Sequence, residues 1–153
     1  MQKIRNQTPH IRPLQPQDRP AWEVLFTAYL RFYETSASEE VMAETFRRLI
    51  SDEHPAQYAL LAEVKGQACG LVQCIEHPHN WRLEPVCYLQ DLFVSDDHRG
   101  LGLGRALIEA VYAEADRRGT PSVYWMTQDF NATARQLYDR VGQLTPFIKY
   151  VRS

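Results

Sequence analysis

Apolar residues recur along this chain at two periods, near 3.6 and near 2, and the alternation between them predicts its elements. Trp22, Leu25, Phe26, Tyr29 and Tyr33 share one helical face, entered at Asp18 with Arg19 and Pro20 in the first turn. Ser36 and Glu39 read as a capping box opening a second helix, whose stripe is Met42, Phe46, Leu49 and Ile50. Ahead of both, residues 10–14 suit a short edge strand, because proline is tolerated at an edge. Residues 58–64 and 68–75 form two antiparallel strands around the turn Lys65-Gly66-Gln67, and His77-Pro78-His79-Asn80 follows as a loop. Residues 86–94 are apolar on both alternating faces, as expected of a central strand covered on both sides.

A turn over residues 95–100 leads into a helix of about 15 residues from Leu101 or Gly102, burying Leu103, Ala106, Leu107, Ala110 and Val111. Arg117 and Arg118 suit the negative end of its dipole, and Gly119 suits its C′ position. Pro121 bars continuation, so residues 122–127 are the next strand. Residues 132–141 are the last helix, between Asn131 and Gly142, and residues 147–151 are a final strand. The order β-α-α-β-β-β-α-β-α-β describes an α/β chain with one mixed sheet and helices on both faces. At 153 residues it is expected to be one domain, 1–153.

Composition narrows the function classes. With 44% hydrophobic and 24% charged residues the chain looks like an ordinary soluble globular protein. A formal net charge of -2 with no basic block argues against nucleic-acid binding by backbone electrostatics alone, a local patch aside. No apolar run is long enough to span a bilayer, so neither nucleic acid nor membrane is an expected partner. Residues 1–7 lack the apolar segment of a secretory signal. Cys69, Cys74 and Cys87 are odd in number and form no CxxC pair. Buried, reduced thiols are expected, and with them a cytoplasmic location. His77 and His79 are too few for a structural metal site, and no metal is expected.

The chemistry concentrates in Arg99-Gly100-Leu101-Gly102-Leu103-Gly104-Arg105, between a buried strand and an amphipathic helix. The first helical turn leaves N–H groups unpaired and carries partial positive charge, and glycines let a phosphate approach the backbone. Arg99 and Arg105 add charge for a diphosphate. Two other phosphate loops are excluded on their residues. A Walker loop ends in Gly-Lys-Ser/Thr, which is absent, and a dinucleotide fingerprint needs glycine where Arg105 stands.

Arg99-x-x-Gly102-x-Gly104 resembles the Q/R-x-x-G-x-G/A signature of the GNAT superfamily of acyl-CoA N-acyltransferases. Asn131-x-x-Ala134-x-x-Leu137-Tyr138, followed by Gly142, resembles that superfamily's last helix. Residues 88–94 and 119–125 are most similar to its histone/polyamine acetyltransferase-like group. The element order is similar throughout, so the resemblance covers nearly the whole chain.

That resemblance implies the GNAT fold and acetyl transfer from acetyl-CoA to a primary amine, by direct attack in a ternary complex. It implies a cofactor site made of the backbone of Arg99, Gly100, Leu101, Gly102, Leu103, Gly104 and Arg105 for the pyrophosphate. The backbone of Leu92, Phe93 and Val94 would pair with pantetheine, and Asn131 would bond the pantetheine arm or a nearby water. Tyr138 would approach the sulfur as the catalytic acid. By helical angle Tyr138 and Asn131 fall about 70–90° from the centre of a stripe of Phe130, Ala134, Leu137 and Val141, beside the core rather than inside it.

Similar spermidine/spermine acetyltransferases carry a glutamate where this chain has Gln90. Asp91 is the acid left on the strand, but a structural carboxylate bonded to loop amides is the favoured reading of it; a water wire is also open, and no general base is assigned. The first two helices usually cover the acceptor in this fold, which makes Tyr33, Glu34 and Thr35 candidates, with Trp81, Arg82 and Glu84. The expected partner is a small-molecule amine such as a polyamine or amino acid. A protein lysine, or a non-catalytic role in binding acyl-CoA, are the alternatives. Only about eleven residues follow Gly142, enough for one strand, and an edge left exposed there predicts a homodimer.

Overall fold

The computed structural model describes residues 8–153; the polar start, residues 1–7, lies outside them. The elements run β1 (His10–Pro13), α1 (Arg19–Phe32), α2 (Glu39–Ile50), β2 (Gln57–Val64), β3 (Gln67–His77), β4 (Val86–Val94), α3 (Leu103–Arg118), β5 (Val123–Tyr124) and α4 (Ala132–Val141). Two single 3-10 turns, Pro16–Asp18 and Asp96–His98, lead toward α1 and α3.

One mixed sheet of order β1-β2-β3-β4-β5 forms the middle layer. Its neighbours are antiparallel except β4 and β5, which run parallel. Alternate side chains along β2 serve opposite cores, as strand geometry requires. Ala59 and Leu61 join Leu71 beneath α1 and α2, against Trp22, Leu25, Phe26, Met42, Phe46 and Leu49. Leu60 and Ala62 join Val72, Cys74, Cys87 and Leu89 against Leu103, Leu107, Ile108 and Val111 of α3. The three cysteines are free and buried, as their scarcity and spacing led one to expect.

Arg118 anchors the C-terminal end of α3. Its guanidinium lies 4.0 Å from the Tyr58 ring centroid, donates to Pro55 O at 2.8 Å, and pairs with Glu76 at 2.7 Å and Glu114 at 2.8 Å. The far end of the same helix, with its glycines, is thereby held at a fixed height against the sheet.

Four local expectations are corrected. The cap of α2 is Ser38, whose hydroxyl accepts Val41 N–H at 3.2 Å, so the Ser36–Glu39 box does not form. Asp18 occupies the N-cap position of α1 without capping it, because its carboxylate is committed to Arg12 at 2.7 and 2.8 Å and to Gln15 N–H. The strand over residues 122–127 shrinks to Val123–Tyr124. Residues 147–151, expected as a final strand, join no sheet, and all of residues 143–153 are exposed. The last two corrections share a cause: a strand needs a neighbour to take its N–H and C=O groups, and neither segment has one beyond β4.

Candidate active site

Along β4 the sheet breaks its own rhythm. Gln73 pairs with Asp91 while the next residue, Cys74, pairs with Leu89, so Gln90 is an extra, exposed residue in a β-bulge. The bulge reverses which side chains face which core. Before it Cys87 and Leu89 point toward α3; after it Leu92 and Val94 do. Phe93 turns to the α1 side, its ring 6.4 Å from that of Tyr29.

β5 pairs with β4 only at Cys87–Val123 and Tyr88–Tyr124. From Leu89 onward no strand among the described residues pairs with β4 on that edge, so the outward-facing backbone groups along Leu92, Phe93 and Val94 border a gap, where Val94 O is met only by the Arg99 side chain at 3.3 Å. The central strand read from the sequence is therefore central only in its first half.

The glycine turn closes the end of this gap. Gly100 and Gly102 both sit at φ +79°, a left-handed conformation that costs a side-chain-bearing residue about 1–2 kcal/mol. Gly102 is the N-cap of α3 and provides no side-chain cap. The first intrahelical bond from this end is Ala106 N–H to Gly102 O at 3.0 Å, so the N–H groups of Leu103, Gly104 and Arg105 are without intrahelical partners. Nothing lies within 4 Å of where a Cβ on Gly100 or Gly102 would stand. Leu101 is partly buried and Leu103 buried, which pins the turn to the core.

Arg99 lies outside, on Asp96 at 3.1 Å and on Val94 O at 3.3 Å; Arg105 pairs with Glu109 at 2.9 Å. Both arginines are exposed, so these pairs are weak and exchangeable.

α4 is docked onto this turn. A Cβ on Gly104 would stand 3.2 Å from Leu137, and the next residue of α4 is Tyr138. Tyr138 is half-buried, its ring edge-on to Trp125 at 5.6 Å. Burial and the neighbouring Tyr33 raise its phenol pKa above the ordinary value, which keeps it protonated at neutral pH. Asn131 caps α4, its Oδ1 accepting Ala134 N–H at 3.4 Å, and this leaves the Asn131 amide N–H groups free. Phe130, expected in the buried stripe of α4, precedes the helix and is exposed.

On the other side of β4 stands the end of α1. Thr35 N–H reaches Leu30 O at 3.0 Å and Glu34 N–H reaches Arg31 O at 2.9 Å, the two bonds of a Schellman cap. Its left-handed position, usually glycine, is Glu34 at φ +56°. The cap turns Tyr33 toward Tyr29, with ring centroids 5.0 Å apart. Tyr29 in turn faces Asp91, whose carboxyl pKa is raised by burial against the countering pull of Gln73 and Tyr29.

Gln73 was not singled out by the sequence reading. It is 4% exposed, accepts the Trp22 indole N–H at 2.6 Å and donates to Asp91 Oδ2 at 2.9 Å. The signal was present: a glutamine inside the apolar run Leu71-Val72-Gln73-Cys74 must find partners when buried.

Other candidates disperse. His77 closes β3 rather than lying in a loop, and its Nε2 meets the Tyr124 hydroxyl at 2.8 Å. Trp81 is exposed, and Arg82 and Glu84 pair loosely at 3.9 Å. Among the described residues no three His, Cys, Asp or Glu side chains gather as for a metal ion. No helix among them is long and apolar enough to cross a membrane. A concavity lined by Leu49, Tyr58 and Arg118 lies at the opposite end of α3 from the glycines.

An unpaired half-strand, a glycine-opened helix N-terminus and a phenol between them are the parts the sequence resemblance implied. A profile of the Acetyltransferase (GNAT) family matches residues 22–143, most of the chain and all of these parts. The chain belongs to the GNAT acetyltransferase family. It is 36% identical over 153 residues to the D-amino-acid N-acetyltransferase HPA3 of Saccharomyces cerevisiae, covering 99% of this chain and 95% of that protein. The N-acetyltransferase YhfO of Bacillus subtilis, itself uncharacterized, is 30% identical, with 92% and 95% covered.

Among solved structures, AAC(6')-Iy in complex with the bisubstrate analog CoA-S-monomethyl-acetylneamine matches with TM-score 0.81 at 17% identity, over 95% of this chain and 98% of that one. The ribosomal-protein-alanine N-acetyltransferase of Brucella melitensis matches with TM-score 0.76 at 22% identity, over 95% and 99%. At those identities the likeness is one of fold. This GNAT protein is an N-acetyltransferase, with acetyl-CoA as the family's acetyl donor.

Proposed function

We propose that this enzyme, acting as one domain, acetylates the primary amine of a small molecule, an amino acid or similar cationic amine. The observation that carries the reading is the half-buried Tyr138 of α4, packed edge-on to Trp125 and against the same core cluster as Leu92 and Val94 of β4's open half. On the α1 side of β4 stand phenols and a carboxyl, Tyr29, Tyr33 and Asp91, and Glu34 follows Tyr33 in the cap of α1. No lysine or arginine is among them. Such a lining favours an ammonium over an anion as it approaches. The 36% identity to a D-amino-acid N-acetyltransferase supports a small acceptor.

In this reading the diphosphate of CoA lies against the N–H groups of Leu103, Gly104 and Arg105, where the left-handed glycines leave open space. Arg99 and Arg105 turn from their surface partners toward the anion. The free edge of Leu92, Phe93 and Val94 takes the amide groups of the pantetheine arm, and the unused amide of Asn131 takes another. A backbone N–H near the bulge polarises the thioester carbonyl.

The neutral amine attacks that carbonyl, the C–S bond breaks, and the Tyr138 hydroxyl donates its proton to the departing thiolate. The proton shed by the newly acylated nitrogen returns to the phenolate through water. A thiolate of pKa around ~8.5 needs only a weak acid within reach, so a buried phenol serves. At neutral pH about one alkyl amine in a thousand is unprotonated, so the open mouth of the cleft must also let a proton leave to water.

The test is a panel of free amines, D- and L-amino acids and basic peptides, read by thiol release from acetyl-CoA. Turnover confined to small amines supports the proposal. Preference for peptides would transfer the assignment to protein lysine, and no thiol release with any acceptor would defeat it.

A further inference from the structure

We infer that Gln73 is a positioning residue for the acceptor amine, a role that rests on the acetyl-transfer reading and deepens it. Its buried amide holds one oxygen of Asp91 and leaves the other to take an N–H of the incoming nitrogen.

Strand parity is the reason the pair exists. Cys87 and Leu89 face α3, and in an unbroken strand Asp91 would join them, a carboxyl inside an apolar core with nothing to bond. The extra residue at Gln90 reverses the alternation and delivers Asp91 to the α1 face, directly opposite Gln73. Gln73 faces the same way, since Leu71 packs beneath α1 and α2 while Val72 and Cys74 pack against α3. Bulge and glutamine are two parts of one arrangement.

The Gln73 amide has only one orientation open to it. Trp22 is fully buried between Phe26 and Phe46, with ring centroids 5.3 and 5.1 Å away, and an indole N–H can only donate. At 2.6 Å it fixes the near atom of Gln73 as the oxygen, so Nε2 donates to Asp91 Oδ2 at 2.9 Å. A flipped amide would set N–H against N–H at Trp22 and oxygen against carboxylate at Asp91. The glutamine therefore stops the carboxyl from turning.

The loop amides expected around a structural carboxylate are not its partners. Among the described residues the groups that offer Asp91 a hydrogen bond are the side chains of Gln73 and Tyr29. The residue is partly exposed, and no cation pairs with it. The titratable groups around it are phenols: Tyr29 of α1, with Tyr33 beside it, and Tyr88 of its own strand. Oδ1 is thus the open end of a fixed acceptor, next to the residues 92–94 that border the gap. An amine N–H bound there gains a charge-assisted hydrogen bond and a set direction for its lone pair.

Wild type, Gln73→Met, Asp91→Asn and the double variant are compared by thiol release with the amine that turns over best, after circular dichroism confirms each fold. Gln73→Met should raise KM for the amine about tenfold, the scale of one hydrogen bond to a charged group, with kcat changed less. The lower break in the acid limb of kcat/KM, separate from the amine's own near ~10, should move to higher pH, because the lost N–H was holding the carboxyl ionised. In the Asp91→Asn background the same change should cost far less than tenfold, since the carboxylate it positions is gone. A purely structural glutamine would leave the break in place and add its full effect in both backgrounds, and that result overturns the inference. Carbon-13 titration of the Asp91 carboxyl without substrate should move up in Gln73→Met, and an unmoved titration overturns the hold on Asp91. If wild type acetylates no amine, the enzymatic reading fails while this titration still judges the contact. Should Gln73→Met not fold, Trp22→Phe keeps the glutamine but frees its oxygen, and an unchanged KM and acid break there overturn the lock.

Discussion

The Gln73 amide donates to Asp91 Oδ2 at 2.9 Å, at the register position immediately beside the bulge on β4. The same amide holds the Trp22 indole through its carbonyl oxygen. One buried glutamine therefore ties α1 to the strand that carries the candidate chemistry, and it orients the carboxyl nearest the phenols.

That carboxyl gives a stability signature. Burial raises the pKa of Asp91 in the folded state, so above the ordinary carboxylate value near ~3.9 the folded protein keeps a proton that the unfolded chain has lost. Folding then binds protons, and this contribution favours the folded state on the acid side and fades as pH rises through the elevated pKa. Asp91→Asn keeps an oxygen for Gln73 and has no charge to bury. Its stability relative to wild type should climb from pH 4 to pH 8 in urea unfolding; a pH-independent difference would count against the buried-carboxyl account.

Tyr138→Phe keeps the ring against Trp125 and removes only the hydroxyl. Turnover should fall by roughly 10²–10⁴-fold while CoA affinity holds. Near-wild-type thiol release would remove Tyr138 from the mechanism.

Glu34 sits where a Schellman cap wants glycine. Glu34→Gly should therefore stabilise the fold by about 1 kcal/mol, read from the denaturation midpoint. If the carboxylate attracts the amine, KM for the acceptor should rise in the same variant with kcat little changed. A more stable protein with an unaltered KM would leave Glu34 as strain without a use.

Asn131 has two jobs that two variants separate. Asn131→Ser retains a capping oxygen, whereas Asn131→Ala loses it and should cost about 1 kcal/mol of stability. Both lack the free amide N–H groups, so both should weaken CoA binding. Calorimetry with full affinity in the serine variant would reduce Asn131 to a cap.

Local pattern alone determined a good part of this protein. The stripe Trp22-Leu25-Phe26, the run 86–94 and the glycines before Leu103 are read within a few neighbours, because helical and strand periods and left-handed backbone are local properties. So was the family, since Arg99-x-x-Gly102-x-Gly104 and the Asn131-to-Tyr138 helix are contiguous signatures.

Tertiary structure decided what depends on pairing. Gln90 is an ordinary residue in the sequence and becomes a bulge only because Gln73 and Cys74 on β3 take Asp91 and Leu89 as partners. Residues 122–127 and 147–151 have strand composition, yet a strand exists only where another backbone takes its hydrogen bonds, and β4 pairs on that edge with Val123 and Tyr124, with one further bond from Cys87 N–H to Ser122 O. The line Trp22–Gln73–Asp91 joins residues up to 69 positions apart, and the packing of α1 on the sheet sets it.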